Sequence, residues 1–531
     1  MDIATKDLPV RTRHPSVFEP ATLILMTVLC VLGAIIGMQM LVTLGVTANT
    51  SILGALIAMA LARIPLRLFS RFRSIHVQNL AQSAISAATF GAGNSLLLPI
   101  GIPFLLGRGD LVLPLLGGVA LAMLVDATML YRMFGSRAFP AEGAWPPGVA
   151  AAEAIRAGDE GGRRVGVLGA GVLAGVVGMG FLGIPMSAFG VAFIGNAWAL
   201  SMFGIGLLVR GYSPQLFSTW LPRGDIGGAF IPHGIMIGAG MVALAQVVTV
   251  LMARRARDAS AQAGPGRALG IGALAYVAIA VLIALGGGLA SELSTGMLIA
   301  FIVYAAFAAL AHEMIVGLAA MHSGWFPAFA VALITLILGM LMGFPPVSLA
   351  LLVGFSAATG PAFADMGYDL KAGFMLRGHG ADLAFEADGR FQQYLAAMFA
   401  FVVAGVVVLV SYKSYFAANL VAPVAKVYVA TIKAGASPGV AGQLLLWAIP
   451  GAILQLAGGP KRQTGVLFAT GMLIVFPAAG WAVLAGIAIR LVYGRLRGPA
   501  AQGEMEVFAG GAIAGDAMTG FYNGIAANLK R

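Results

Sequence analysis

Long apolar runs recur from one end of this chain to the other, and they constrain its fold more than any other feature. The segments "PATLILMTVLCVLGAIIGMQMLVTLG" (20–45) and "FQQYLAAMFAFVVAGVVVLVSY" (391–412) each reach the roughly 20 residues that a helix needs to cross the hydrocarbon core of a bilayer. With 60% hydrophobic residues and a mean hydropathy of +0.93, the chain is too apolar for a water-soluble globule. Backbone groups in lipid must be satisfied internally, and the runs lack the alternation of an outer-membrane barrel, so the spans are predicted to be helical.

The apolar runs predict an all-α polytopic membrane protein. We count about fifteen runs, hence roughly 14–16 transmembrane helices, some broken by Gly or Pro or re-entrant. The run 464–492 is too long for one ordinary span and has Pro477 near its middle. The polar segments 135–164 and 365–390 are too short for a second soluble domain. We therefore expect one transmembrane domain over residues 1–531.

The net charge of +11 indicates membrane orientation. Basic clusters at 6–13, 63–73 and 132–164 alternate correctly across the first four spans if the N-terminal tail, residues 1–20, is cytoplasmic. The cluster "RRAR" at 254–257 breaks this parity unless one earlier run is re-entrant or double. No basic patch with interleaved aromatic residues is present, so nucleic acid is not expected as a partner. We expect a multi-pass protein of the cytoplasmic (inner) membrane.

Two stretches about half the chain apart are alike: "SAATFGAGNS" (86–95) and "SAATGPAFAD" (356–365). Gly- and Pro-interrupted segments in corresponding halves mark midplane binding sites in transporters. They suggest repeat halves of about 21–260 and 268–531, although a shared "SAAT" also arises by chance in so Ala-rich a sequence. Asn79, Gln82 and Asn94 add amides to the first stretch, where they could line a substrate path or pack helices together.

Few acidic residues lie within apolar runs: Asp126, Glu313 and Asp516, with Asp365 at the end of one. A charge at the bilayer centre costs at least about 2.5 kcal/mol on insertion scales, so each is a hypothesis of function. Each also has a structural interpretation. Asp126 could pair with Arg132, and Asp516 could form a hydrogen bond between helices.

The segment "LAHEMIVGLAAMHSGWFP" (310–327) places His312, Glu313 and His322 within eleven residues. Histidine titrates near physiological pH, and histidine with a carboxylate makes the proton relays of coupled transporters. The alternative is that the histidines cap a broken helix and bond a carbonyl. A metalloprotease is excluded, because Val316 stands where HExxH needs its second histidine. We predict proton coupling by Glu313 with His312, and by Asp126 and Asp516 in second place, with no cofactor and no metal.

Four segments, in order along the chain, resemble the oligopeptide transporter superfamily, which includes the yellow stripe-like carriers of metal chelates. These are "HVQNLAQSAISA" (76–87), "FPAEGAWPPGVAAAEAIRAGDEGG" (139–162), "FADMGYDLKAGFMLRG" (363–378) and "GVLFATGMLIVFP" (465–477). In the third, Asp369, Leu370, Lys371, Gly373 and Phe374 fall on the family pattern. The resemblance implies that the charge-rich stretch 363–390 is a polar loop at the mouth of a Gly-broken span (345–364), in a carrier driven by a proton gradient.

The chain departs from the family at "GLAAMHSGWFPAF" (317–329), which lacks the family's Asn-Pro and has His322. It also has "WPPG" in the loop at 139–162. These differences leave the substrate open between short oligopeptides and peptide-like metal chelates. The substrate-binding residues that we predict are Asn79, Gln82, Asn94, His322, Trp325, Asp365, Asp369 and Lys371.

With no nucleotide-binding motif in the chain, we predict a secondary active symporter rather than an ATP-driven pump. Its expected partners are a small-molecule substrate, protons and membrane lipids, with a homodimer as the oligomer to test. One rival is a membrane-embedded enzyme acting on a lipid-linked substrate, with oxygen ligands for a divalent cation from Glu142, Glu153, Asp369 and Asp382. The other rival is a passive channel.

Overall fold

The computed structural model of the chain describes residues 13–44, 64, 67–221, 224–252, 265–324, 328–435, 439–498 and 501–529. These residues fold into helices joined by short turns. The helices of the first half are α1 (Pro20–Leu44), α2 (Ile75–Phe90), α3 (Leu98–Leu105), α4 (Val112–Met133), α5 (Pro146–Glu160), α6 (Gly162–Leu182), α7 (Met186–Ile194), α8 (Ala197–Gly211), α9 (Ser213–Phe217) and α10 (Ile231–Met252).

The second half continues with a further series of helices. They are α11 (Pro265–Gly286), α12 (Leu289–Glu292), α13 (Thr295–Ser323), α14 (Ala328–Leu341), α15 (Pro346–Ala358), α16 (Pro361–Leu376), α17 (Leu383–Ala417), α18 (Pro423–Ala434), α19 (Val440–Arg462), α20 (Thr464–Leu473), α21 (Pro477–Arg497) and α22 (Ala501–Leu529). Two 3-10 turns (Arg67–Arg73 and Gly109–Leu111) and one π-helical segment (Gly91–Leu97) complete the described elements.

The all-α polytopic class is confirmed. Ten helical stretches in the described residues are long and apolar enough to cross a membrane, and four shorter apolar helices of 10–17 residues accompany them. The long run 464–492 is two helices, with Pro477 at the first position of α21, where its missing N–H costs nothing. Another of the apolar runs counted in the sequence, 50–69, lies largely outside the described residues.

Two long spans form the centre of the molecule, and both are interrupted. Ile75–Leu105 and Pro346–Leu376 each have 31 residues, and most residues of each span are buried. In the first, the π-helical segment Gly91–Leu97 separates α2 from α3. In the second, Gly360 at φ +94° separates α15 from α16, and Pro361 begins the new helix. Each interruption lies at or directly after a "SAAT" sequence.

Closely packed helix pairs surround this centre. Helix α6 packs along α22 and α10 packs along α19, while α7 contacts α21 and α8 contacts α20. Glycines make the approach of the backbones possible: a Cβ on Gly171 would overlap the carbonyl of Phe508, and one on Gly238 would overlap that of Ala448. Small residues play this role in membrane helix packing generally, because lipid provides no hydrophobic drive for helices to associate.

The expectation that 363–390 is a polar loop is wrong except at residues 377–382, because α16 extends to Leu376 and α17 begins at Leu383. Residues 361–376 form helix α16, which is buried along its whole length, with Asp365 and Asp369 at 0% exposure. The acidic residues are buried because α2 packs beside them and supplies amide and hydroxyl donors. The other polar segment, 135–164, also contains a largely buried helix, α5. Charge in a sequence was therefore not a guide to exposure here.

Candidate functional site

Two acidic residues and a tyrosine meet in the protein interior. Asp126 on α4, Tyr276 on α11 and Glu313 on α13 all have 0% exposure. The Tyr276 hydroxyl donates a hydrogen bond to one carboxylate oxygen of Asp126. The backbone N–H of Gly360 donates to the other oxygen at 2.7 Å. Four helical elements thus converge on Asp126, and we call Asp126, Tyr276 and Glu313 the tyrosine-bridged acidic pair.

Glu313 is the unsatisfied member of this pair. Tyr276 interacts electrostatically with both carboxylates, but its single hydroxyl hydrogen is donated to Asp126. Both carboxylate oxygens of Glu313 are buried without a hydrogen-bond donor among the described residues. Two carboxyl groups that share a site without a neighbouring cation cannot both ionise, so this pair is suited to hold a proton. The predicted coupling residues Glu313 and Asp126 therefore do lie together.

Asp126 does not pair with Arg132, because its oxygens are taken by Tyr276 and Gly360. Asp516 lies apart from the acidic pair, on α22. Its carboxylate accepts a 2.8 Å hydrogen bond from the backbone N–H of Ser187 at the start of α7. That contact is the interhelical hydrogen bond offered as its structural interpretation.

His312 lies next to Glu313 in sequence but bonds elsewhere. Its Nε2 contacts the carbonyl of Ala328 at 2.7 Å, and its Nδ1 lies 3.4 Å from the hydroxyl of Thr359. The histidine therefore makes the carbonyl contact of the structural alternative, bridging α13 to the start of α14 and the end of α15. His322 is buried, and its Nε2 has no partner among the described residues. Trp325 lies outside the described residues.

A second polar cluster lies between α2 and α16. The hydroxyl of Ser86 donates to Asp365, and the amide of Gln82 donates to Asp369 at 2.5 Å. Asn79 in turn donates to Gln82 at 2.8 Å. Both hydrogen bonds can form at once because the donors Gln82 and Ser86 are four residues apart and share one face of α2. The acceptors Asp365 and Asp369 have the same spacing on one face of α16. Four of the predicted substrate-binding residues, Asn79, Gln82, Asp365 and Asp369, thus form one cluster with Ser86, which we call the α2–α16 polar cluster.

Helix α17 extends this cluster with Gln393. Its amide donates to the carbonyl of Asp369 at 2.6 Å and to the hydroxyl of Ser83 at 3.1 Å. Its oxygen accepts from Arg377 at 2.8 Å, and Arg377 also donates two hydrogen bonds to Glu386. Sequence analysis missed Gln393 and Tyr276. Gln393 could have been found as an amide within the apolar run 391–412, whereas nothing in the sequence distinguishes Tyr276.

Two further predicted substrate-binding residues, Lys371 and Asn94, also lie outside the cluster. Lys371 is also on α16, but its ammonium donates to the carbonyl of Ala141 at 3.1 Å. Asn94 is half-buried in the π-helical segment of the first central span. Helix α16 joins the two polar regions, because Gly360 at its start contacts Asp126, and Asp365 follows about 7.5 Å further along the axis.

The family model of the OPT oligopeptide transporter protein matches residues 20–253 and 228–527. This chain belongs to the OPT oligopeptide transporter family. OPT proteins are membrane transporters of small molecules and not enzymes, so the rival enzyme is excluded. The match spans the tyrosine-bridged acidic pair and the α2–α16 polar cluster. No individually curated protein matches the chain.

Proposed function

We propose that this OPT protein is a secondary active transporter that moves short oligopeptides or peptide-like metal chelates together with protons. We place it in the cytoplasmic membrane with its N-terminus cytoplasmic. The observation that supports the proton coupling is the tyrosine-bridged acidic pair, two fully buried carboxyl groups with no basic partner among the residues that the structure describes. An ionisable group within a span is costly, and such groups commonly serve proton pathways.

The contact between Asp126 and Gly360 links the proton to the fold. As a carboxylate, Asp126 accepts from both Tyr276 and the Gly360 N–H. When it takes up a proton, it loses its negative charge and the protonated oxygen becomes a poorer acceptor, so the hydrogen bond to that oxygen is weakened. Because the N–H of Gly360 belongs to the interruption before α16, protonation of the oxygen that it contacts would loosen the start of that helix.

The α2–α16 polar cluster is our proposed substrate-binding region, with Asn94, His322, Trp325 and Lys371 completing the substrate path. Both central spans are interrupted beside the cluster, and Gly- or Pro-broken segments in corresponding halves point to midplane sites in transporters. Asn79 and Gln82 offer amides, and Asp365 and Asp369 offer carboxylates that could meet a peptide amino group. Helix α16 would carry movement at Gly360 to these carboxylates.

We also propose that the chain contains two repeat halves, about 21–260 and 268–531. The support is an exchange of partners: α6 of the first half packs on α22 of the second, and α10 of the first packs on α19 of the second. The pairs α7 with α21 and α8 with α20 cross between the halves in the same way. Two related halves packed against each other would place helices of one half on helices of the other in this way. They would also place the two interruptions at the "SAAT" sequences side by side.

Proteoliposomes holding the purified protein test the function. An inward proton gradient is imposed, and uptake is followed for labelled di- to hexapeptides and for iron- and nickel-chelate complexes. Accumulation that collapses with a protonophore supports the symporter and identifies its substrate class. Saturable exchange without accumulation would contradict proton coupling, and unitary currents would favour a channel. Cross-linking in the same liposomes tests the homodimer.

A further inference from the structure

The two aspartates of the α2–α16 polar cluster form a second acidic pair, separate from Asp126 and Glu313. Asp365 and Asp369 lie four residues apart on α16 and interact with each other electrostatically. Each is held to α2 through its Oδ1 atom. In each, the Oδ2 atom is buried and makes no close hydrogen bond among the described residues, although the Ser83 side chain also interacts with the Asp369 carboxyl group.

No basic side chain in the described part of the chain balances these two carboxylates. Lys371, the nearest base in sequence, bonds the carbonyl of Ala141. Arg377 is committed to Glu386 and Gln393. Burying two carboxylates without a counter-ion is unfavourable, so a positive charge must join them.

The surrounding atoms are oxygen donors suited to a small cation. In addition to the two Oδ2 atoms, the cluster holds an unpartnered oxygen on Asn79, which is fully buried and bonded through its NH2 group to Gln82. The hydroxyl of Ser86 already contacts Asp365. No three His, Cys, Asp or Glu side chains converge as a metal site in the described ranges, which argues against a transition metal.

We propose that Asp365 and Asp369 together bind one monovalent cation, either a proton or an alkali metal ion, between α2 and α16. This proposal rests on the proposed transport function, since the same cluster is the proposed substrate region. The bound cation would neutralise the pair and fix the distance between the two helices. A peptide amino group would take the place of this cation when substrate binds.

Equilibrium measurements on purified protein in nanodiscs, without gradient or substrate, test the site. Binding of radioactive sodium is measured at constant ionic strength with choline as the replacement ion, and protonated carboxyl groups are followed by infrared difference spectroscopy. The wild type is compared with Asp365→Asn, Asp369→Asn and Ser86→Ala. Asp110→Asn, at an exposed carboxylate paired with Arg108, is the matched control.

Two results would support the proposal and separate its two forms. For an alkali ion, sodium binds saturably, and each aspartate variant weakens binding at least tenfold while Asp110→Asn does not. If the bound cation is a proton, the wild type does not bind sodium. Each aspartate variant then removes a protonated-carboxyl band from the infrared difference spectrum, whereas Asp110→Asn retains that band. Ser86→Ala keeps both carboxylates and should weaken sodium binding or shift the band, so it decides the matter if the aspartate variants fail to fold.

The proposal is overturned if the wild type binds no sodium and no protonated-carboxyl band depends on Asp365, Asp369 or Ser86. This outcome is independent of transport. A protein that binds the cation but accumulates no substrate would refute the proposed function alone. A protein that accumulates substrate without either cation signal would refute this site alone.

Discussion

The backbone N–H of Gly360 donates a 2.7 Å hydrogen bond to the carboxylate of Asp126, and so connects the interruption before α16 to α4. Tyr276 holds the other oxygen of the same carboxylate. One buried acid therefore contacts both a broken span and a second acid, Glu313, through a shared tyrosine. We therefore expect protonation of Asp126 to affect the start of the helix that carries Asp365 and Asp369.

Removing the charge at Glu313 or Asp126 should abolish accumulation. In Glu313→Gln and Asp126→Asn, gradient-driven uptake is expected to fall at least about tenfold, because neither amide can carry the proton. Exchange of labelled for unlabelled substrate at equal pH should persist, since it needs no net proton movement. Both assays are run in proteoliposomes with equal amounts of folded protein, and accumulation by either variant at the wild-type level would contradict its role.

Removing the hydroxyl of Tyr276 should impair transport more than removing that of another buried tyrosine. Tyr276→Phe leaves Asp126 without one hydrogen bond, and a hydrogen bond to a charged group contributes about 1.5–3 kcal/mol. The matched control is Tyr304→Phe, which loses only a 3.1 Å bond to the carbonyl of Thr335. Initial uptake rates should fall clearly in the first variant and little in the second. Equal rates would show that Tyr276 serves packing alone.

A methyl group at Gly360 should destabilise the break before α16. The residue has φ +94°, where L-residues are strained, and its Cβ would lie 2.9–3.1 Å from three side-chain atoms of Val316. We expect Gly360→Ala to lower the free energy of unfolding by at least about 1 kcal/mol. Gly405→Ala, in α17 with open space around the new methyl, is the control. The midpoints of thermal unfolding in detergent are compared for Gly360→Ala and Gly405→Ala. Similar midpoints for the two variants would contradict the predicted backbone strain at residue 360.

A large side chain in place of a glycine at the contact between α6 and α22 should prevent these helices from packing closely. A Cβ at Gly175 would overlap the carbonyl of Ala512, whereas one at Gly169 on the same helix meets nothing within 4 Å. Gly175→Leu should therefore lower the yield of monodisperse protein strongly, and Gly169→Leu should leave it near the wild-type level. Size-exclusion profiles after identical purification measure the difference. Equal profiles would argue against the close contact.

The segment before α1 should detach as the pH falls. The backbone of His14 donates to Asp388, and the His14 ring lies against His76 and Phe385. Burial lowers the pKa of His14 from 6.5 to about 4, with further lowering by Arg377 and His76, opposed by a hydrogen bond to the Pro15 carbonyl and by Asp388.

The detached segment binds the proton more tightly than the docked one, so docking is most favourable above pH 6.5 and weakens as the pH falls towards about 4. Hydrogen exchange of residues 13–19 should therefore accelerate across that range in the wild type. His14→Gln removes this titration and leaves that of His76, whose pKa burial also lowers, so the acceleration beyond the intrinsic pH dependence should be smaller than in the wild type. An unchanged protection pattern in the wild type would contradict the prediction.

Length and hydropathy were sufficient to predict the helical membrane class, because lipid permits so few backbone arrangements. Buried Asp126 and Glu313 could also be identified, since a carboxylate inside an apolar run is visible in the sequence. Their meeting through Tyr276 could not be, because it depends on α4, α11 and α13 converging. For the same reason the charged stretch 363–390 was misjudged as a loop: the donors that bury Asp365 and Asp369 come from α2, almost three hundred residues earlier.

Proton movement driven by substrate tests the central proposal most directly. Proteoliposomes are loaded with a pH-sensitive dye, and a transported peptide or chelate is added outside with no pH gradient imposed. The wild type should acidify the interior as substrate enters, whereas Asp126→Asn and Glu313→Gln should not, and Asp110→Asn should behave as the wild type. Substrate entry without acidification in the wild type, or full acidification in either acidic-pair variant, would contradict coupling through Asp126, Tyr276 and Glu313.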